Sequence, residues 1–292
     1  MVLQTNVKLN LGLEVLRKRP DGFHDIETLF VPCHEFGDIL EVITGDDYSR
    51  TSASLFARYS SSDYPPELVQ GISEDGKLMI TIAREEGVDW EPLKDLCAKA
   101  YFLLANDFQL PPVKIFLEKK APVGAGLGGG SADAAFTLKA INELCSLGLS
   151  NESLAEYASR LGSDCAFFVW NRPMIGTGRG EILEPFDVDL SGYEVKVLVP
   201  EGISVSTAEA YRGIVPRVAA VAGAVVPPSN LTSVLRRPVE EWKGLVVNDF
   251  EATVFKAHPE LAAIKQSLYD SGAVYAAMSG SGSAMFGIYK KQ

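Results

Sequence analysis

Apolar and polar residues alternate along Val7-Lys-Leu-Asn-Leu-Gly-Leu13. Val7, Leu9, Leu11 and Leu13 fall on one side of an extended chain, with Lys8, Asn10 and Gly12 on the other. That period predicts an opening strand with one buried face. Strand-like runs follow at 26–31 and 38–44, after the turn Arg19-Pro-Asp-Gly-Phe-His24. Residues 45–75 are polar and irregular around Ser60-Ser-Ser-Asp-Tyr-Pro-Pro66 and predict a long excursion between strands. Residues 78–83 return to strand, 93–105 carry helical spacing, and Val113-Lys-Ile-Phe-Leu117 is strand-like again. Two helices are expected at 132–144 and 152–161, the second with Asn151 as N-cap and Gly162 as its C′ glycine.

Turns at 171–173 and 178–180 interrupt the runs 166–169 and 175–183. The acidic segment 184–192 then separates two regular regions, which predicts domains at 1–186 and 187–292. The second region opens with a strand at 193–199. Ser206-Thr-Ala-Glu209 has the form of a capping box. Residues 216–228 predict a linker. A helix starts at His258-Pro-Glu-Leu and stops at Gly272, and strands at 273–277 and 284–289 enclose Met278-Ser-Gly-Ser-Gly-Ser283.

Between the strand at 113–117 and the helix after it lies Ala121-Pro-Val-Gly-Ala-Gly-Leu-Gly-Gly-Gly-Ser-Ala-Asp-Ala-Ala135, with glycines at 124, 126, 128, 129 and 130. Strand, glycine loop, helix is a way to hold an anion. Backbone N–H groups and a helix N-terminus converge on one point without side chains in the way. A nucleoside phosphate is the expected occupant. The loop lacks the Gly-Lys-Ser/Thr ending of a Walker A sequence. Gly124, Gly126 and Gly129 fit GxGxxG, but no acidic residue closes a second strand about 20 positions later, so a dinucleotide site is a poor fit. The bland alternative is a flexible surface turn.

The chain of 292 residues is 47% hydrophobic, enough for one large domain or two smaller ones. Its formal charge of −11 argues against nucleic acid and anionic membrane as partners. Cys33, Cys97, Cys145 and Cys165 form no CxxC pair and the three histidines are scattered, so no zinc site is expected. Unpaired thiols and the lack of a signal-like hydrophobic core predict a cytoplasmic location.

Four further places carry candidate chemistry. Lys8 and Asn10 share one strand face; either they are solvent-facing, or they grip a phosphate and orient a hydroxyl. Asp164 precedes the apolar Cys165-Ala-Phe-Phe-Val-Trp170; it is either a turn carboxylate or a base that accepts or orients a hydroxyl proton. Asp133 is either a favourable first-turn acid or a neighbour of Mg²⁺ or phosphate. Ser279-Gly-Ser-Gly282 is either a tight turn or a second backbone-rich phosphate loop.

Taken in order, Val7-Lys-Leu-Asn-Leu11, Lys18-Arg-Pro-Asp-Gly-Phe-His24, residues 122–135, Gly162-Ser-Asp164, Thr177-Gly-Arg-Gly-Glu181, Asn248-Asp-Phe-Glu251 and residues 278–287 resemble the small-molecule kinases named after galactose, homoserine, mevalonate and phosphomevalonate. The resemblance spans nearly the whole chain. It implies an α+β, two-domain small-molecule kinase fold, with a ribosomal-protein-S5-like N-terminal domain and a ferredoxin-like α/β-plait C-terminal domain. It implies ATP and Mg²⁺, with the ATP phosphates held by Pro122, Val123, Gly124, Ala125, Gly126, Leu127, Gly128, Gly129, Gly130, Ser131 and Ala132. Lys8 and Asp164 match the catalytic lysine and aspartate.

The pairing of Lys-Leu-Asn-Leu with Arg-Pro-Asp-Gly-aromatic-His resembles one branch of that family, and the resemblance implies an acceptor carrying cytidine diphosphate on methylerythritol, phosphorylated at its 2-hydroxyl. Phe23 and Tyr211 would sandwich the cytosine, and His24 would read its edge. Thr207 would contact the diphosphate and Asn10 the methylerythritol. Phe23 stands where tyrosine is usual, which keeps the stacking face and loses a hydroxyl. The expected partner is this small molecule alone, with a monomer or weak homodimer. A homoserine- or mevalonate-type kinase and an inactive ligand sensor on the same scaffold are the alternatives.

Overall fold

A computed structural model of the protein describes residues 1–45, 67–217 and 230–291. The chain forms two compact units interleaved in sequence. One contains Met1–Val7, Phe36–Ala121 and Gly129–Trp170; the other contains Lys8–Glu35, Pro122–Gly128 and Asn171–Gln292. A single cut near residue 186 therefore does not separate them, because the glycine loop and the opening strand pack with the C-terminal half.

The first unit is built on a five-stranded sheet. Its strands are β1 (Val2–Gln4), β4 (Ile39–Thr44), β5 (Glu67–Ile72), β6 (Leu78–Arg84) and β7 (Val113–Lys119), in the order β1-β4-β7-β6-β5. Only β6 and β7 run parallel. Leu40, Val42, Ile80, Ile82, Ile115 and Leu117 are buried on them. Four helices complete the unit: α1 (Leu96–Ala105), α2 (Gly129–Leu144), α3 (Asn151–Leu161) and α4 (Cys165–Trp170). Helix α2 packs on the other three and on β4, and its Ala134, Leu138 and Ile141 have no exposed surface.

Two local expectations shift. The cap of α3 is Ser150, whose hydroxyl accepts the Ser153 N–H at 3.3 Å, while Asn151 is already helical. Gly162 ends α3 in an extended conformation at φ −178°, not in the left-handed C′ form. Strand β5 falls inside the stretch expected to be irregular; residues 46–66 of that excursion lie outside the described residues, as does most of the expected linker.

A buried ion cluster closes the neck of the glycine loop. Lys119 Nζ donates to Asp38 Oδ2 and, at 2.7 Å, to Asp133 Oδ2. Asp38 Oδ1 accepts the Lys120 and Ala121 N–H groups at 2.6 and 2.7 Å. Thr5 Oγ1 donates to Asp133 Oδ1 at 3.0 Å. Burial pulls the Lys119 ammonium down, but the two carboxylates outweigh it and raise it above the usual lysine value. Burial pushes the Asp133 carboxyl up, and Asp38 adds to that while Lys119 opposes it. A Cβ added at Gly129 would sit 3.5 Å from the Ala121 Cβ, so the two ends of the loop meet here.

The second unit carries two sheets. One joins β2 (Val7–Lys18, from Lys8 onward), β3 (His24–Cys33), β8 (Met174–Thr177) and β9 (Ile182–Pro185), in that order. The other is antiparallel, with β12 (Met285–Lys290) between β10 (Tyr193–Leu198) and β11 (Tyr275–Met278). Helices α5 (Thr207–Arg212), α6 (Leu231–Leu235), α7 (Glu251–Ala257) and α8 (Pro259–Asp270) belong to this unit. Ser206 caps α5 by accepting the Glu209 N–H at 3.1 Å, as the capping box predicts. Leu13, Val15, Ile26, Val205, Phe250, Val254, Leu261, Met278 and Met285 share one core.

Strand β2 departs from its pattern. It is buried on both faces from Val7 to Val15, so Lys8, Asn10 and Glu14 are interior. Burial of polar groups is tolerated only with partners. Asn10 Nδ2 donates to Thr28 Oγ1 at 2.9 Å, and Glu14 pairs with Arg217 at 2.6 Å.

Candidate active site

The glycine loop leaves β7 and feeds α2. Gly124, Gly126 and Gly128 all hold positive φ, at +74°, +78° and +74°. Left-handed residues at alternate positions turn backbone N–H groups into a concave nest suited to anions. Helix α2 then begins at Gly129, and the first N–H groups of a helix have no intrahelical partner.

The second backbone-rich loop lies directly against the first. Ala284 N donates to Ala125 O at 3.0 Å, and Ser279 Oγ to Gly126 O at 3.2 Å. A Cβ at Gly126 would stand 2.3 Å from the Ser279 carbonyl oxygen, and one at Gly280 would stand 2.9 Å from Gly126 O. These approaches are possible only for glycine. Lys8 joins the same point: its Nζ donates to Gly126 O at 2.9 Å and to Asn10 Oδ1 at 2.6 Å. Lys8 is 3% exposed. The solvent-facing alternative for Lys8 and Asn10 is thereby removed. Thr207 Oγ1 and Ser281 Oγ are 3.1 Å apart, which ties the start of α5 to this loop.

An aromatic group completes the second unit. His24 stacks on Tyr211 with centroids 4.8 Å apart and 20° between the planes, and Tyr211 meets Phe250 edge-on at 4.7 Å. Burial, then the charge of Lys18, lowers the His24 pKa, which favours a neutral imidazole able to donate and accept. Phe23 is 54% exposed and carries the Arg179 guanidinium 5.0 Å above its ring. The face partner of Tyr211 is thus His24 and that of Phe23 is Arg179. Sequence reasoning overlooked Phe250 and Arg179, although both stand in motifs it had singled out.

In the first unit Asp164 is half-buried immediately before α4. Ser131 and Ala132 lie in the first turn of α2. Asp133 corrects an expectation. It is 1% exposed, and both carboxylate oxygens are taken by Thr5 and Lys119, so it turns no oxygen toward Mg²⁺ or a phosphate. Among the described residues no three of His, Cys, Asp and Glu gather as a metal site. Nor is any described helix long and apolar enough to cross a membrane, and the four cysteines are unpaired.

Two interlocked backbone loops, a buried lysine on one of their carbonyls and two α/β parts define a small-molecule kinase. Residues 95–172 match the GHMP kinases N terminal domain and residues 232–292 the GHMP kinases C terminal domain. With the relatives that follow, this places the chain in the GHMP kinase family, with that family's N- and C-terminal α/β domains. A 4-diphosphocytidyl-2-C-methyl-D-erythritol kinase of Bacteroides fragilis is 44% identical over 292 residues, covering 100% of this chain and 93% of its own length. One from Nitratidesulfovibrio vulgaris is 32% identical over 302 residues, covering 100% and 91%. A crystal structure of 4-(cytidine 5'-diphospho)-2C-methyl-D-erythritol kinase superposes with a TM-score of 0.71 at 28% identity, over 98% of this chain and 89% of that one. A mevalonate kinase shares the fold at 12% identity and a TM-score of 0.62.

Proposed function

We propose that the protein transfers the γ-phosphate of ATP to the 2-hydroxyl of 4-diphosphocytidyl-2-C-methyl-D-erythritol, giving the 2-phosphate and ADP, a step of the non-mevalonate route to isoprenoid precursors. The observation that carries this reading is the coexistence in one unit of the Lys8–Gly126 loop cluster and the His24–Tyr211 aromatic pair beside Phe23. A phosphate grip alone fits any kinase of the family. The aromatic group adds a place for a flat base, which homoserine and mevalonate lack. The identity to kinases named for this substrate supports the same conclusion.

The hydroxyl oxygen attacks the γ-phosphorus, the bond from γ-phosphorus to the β–γ bridging oxygen breaks, and the hydroxyl proton passes to a carboxylate. Asp164 is the proposed acceptor or orienter of that proton. Residues 122–132 cradle the ATP phosphates, from Val123 onward through backbone N–H groups, which stabilise the charge of the transferring group without reorganising. Lys8 supplies positive charge beside the Gly126 carbonyl. Mg²⁺ bound with the nucleotide would neutralise charge on the phosphates; among the described residues no carboxylate, histidine or cysteine cluster forms a protein cage for it. Asn10 contacts the methylerythritol, Thr207 the diphosphate, and Phe23, His24 and Tyr211 the cytosine. We assign an S5-like fold to the family's N-terminal domain and a ferredoxin-like fold to its C-terminal domain, which would complete the substrate site.

Phosphorus NMR of the products tests the reaction. A new monoester beside an intact diphosphate, formed only with ATP, is expected; phosphorylation of homoserine or mevalonate in preference would overturn the substrate. The base site has its own test. Stacking of a base on an aromatic ring contributes roughly 1–3 kcal/mol. Phe23→Ala is expected to weaken the cytidyl substrate about 5- to 150-fold and leave ATP unchanged, while Phe23→Tyr is nearly silent. Calorimetric titration of both ligands separates the outcomes, and a loss confined to ATP would show the two pockets reversed.

A further inference from the structure

We propose that Asn248 and Glu251 are positioning residues for phosphoryl transfer, acting through the Ser279–Gly282 loop on Gly126 and Lys8. This rests on the kinase reading above and extends it to side chains that touch neither Lys8 nor the first glycine loop. Asn248 is 2% exposed, and its whole carboxamide is engaged. Nδ2 donates to Met278 O and Gly280 O, both at 2.8 Å, and Oδ1 accepts the Phe250 N–H at 3.0 Å. Glu251 holds the preceding peptide: Oε1 accepts the Met278 N–H at 2.9 Å, and Oε2 pairs with Lys265 at 2.5 Å. Met278 is thus fixed at its N–H and at its C=O by two side chains three residues apart.

The segment between them is stitched to β2. Leu13 N donates to Val247 O and Asp249 N to Leu13 O, at 2.9 and 2.8 Å, and Asp249 Oδ2 accepts the Val15 N–H at 2.8 Å. From Met278 the chain enters the second loop, which sets Gly126 through the Ser279 hydroxyl and the Ala284 N–H bond to Ala125. Gly126 O in turn receives Lys8 Nζ. One stretch of four residues therefore ties strand β2, which carries Lys8, to the second loop, which in turn holds the Gly126 carbonyl that Lys8 donates to. Glycine-rich backbone has little stiffness of its own. Here the stiffness comes from Asn248 and Glu251.

Asn248→Asp keeps size and the acceptor for Phe250 but turns a carboxylate oxygen onto two carbonyl oxygens. A displacement of about 1 Å at a reacting centre costs on the order of 10²-fold. The expected result is a kcat about 10- to 100-fold lower, with KM for the cytidyl substrate within about threefold. Glu251→Leu should behave alike, and Glu251→Gln, which retains an oxygen for Met278, should restore kcat to within about threefold of wild type. Leu268→Ala removes packing from the same core, away from the loops, and should lower the melting temperature without this loss of kcat. Hydrogen exchange without substrate should rise at 278–284 and 124–128 in Asn248→Asp and Glu251→Leu, and remain at the wild-type rate in Glu251→Gln.

A folded Asn248→Asp or Glu251→Leu with kcat within threefold of wild type overturns the proposal. So does an equal kcat loss in Leu268→Ala at matched melting temperature. If Asn248→Asp does not fold, the Glu251 pair decides. A wild-type protein inactive on the cytidyl substrate would sink the substrate reading alone; in that case unchanged exchange at both loops in Asn248→Asp and Glu251→Leu would overturn this one.

Discussion

Asp164→Asn is expected to lower kcat by about 10²–10⁴-fold, the usual span for removing a general base. The substitution preserves shape and hydrogen-bonding reach at a half-buried position just before α4, so the apolar helix Cys165–Trp170 should stay in place. ATP Kd should change little, since the phosphates are assigned to backbone N–H groups. Where the loss falls within that span carries information. In a loose transition state the hydroxyl proton moves late, and the carboxylate mainly orients the nucleophile, which places the loss near 10². A tighter transition state demands proton removal and places it near 10⁴. Rapid-quench single-turnover kinetics with a melting curve as control make the measurement. A folded variant within threefold of wild type would make Asp164 a turn residue. Lys8→Met should also depress kcat, with some loss of substrate affinity, because it strips Gly126 O and Asn10 Oδ1 of their shared donor.

The local grammar of the fold was legible in the chain. The strand at 113–117, the helices after the loop, the Ser206 box and the proline-led helix at 259 all follow period and capping chemistry, and the structure places them there. The burial of Lys8 and Asn10 was not. A polar residue at alternate positions of a strand predicts a wet face, and only partners distant in sequence, Gly126 at 118 residues and Thr28 at 18, make an interior polar face affordable. The interleaving of units escaped for the same reason, since nothing local says that residues 8–35 pack with the C-terminal half.

Asp133 shows the limit from the other side. Its place in the first turn of a helix after a phosphate loop fits a cation ligand as well as a structural acid. The choice depends on Lys119, Thr5 and Asp38, which only the fold brings to it. Asn248-Asp-Phe-Glu251 stood out as a block of resemblance, yet its chemistry is invisible until Met278 and Gly280 are seen on the receiving end.

Gly126→Ala should be far more damaging than Gly124→Ala, although the two glycines share the same left-handed φ near +75° and so the same intrinsic penalty of roughly 1–2 kcal/mol for a side chain. The difference is space. A Cβ at Gly124 meets nothing within 4 Å, whereas at Gly126 it would lie 2.3 Å from the Ser279 carbonyl oxygen and 3.1 Å from the Gly282 nitrogen. Those are backbone atoms, so the second loop as a whole must move, and the Gly126 carbonyl must leave Lys8 with it. On the scale of about 10²-fold per ångström of misplacement, Gly126→Ala should reduce kcat/KM for ATP by on the order of 100-fold or more. Gly124→Ala should weaken it only by the several-fold that strain alone produces. Steady-state kinetics in ATP, calorimetric ATP titration and thermal melts on both variants make the comparison. Equal losses would mean that conformational strain explains both and that the contact between the loops carries no catalytic weight. A folded Gly126→Ala protein with unaltered ATP affinity would take the loop out of the nucleotide site.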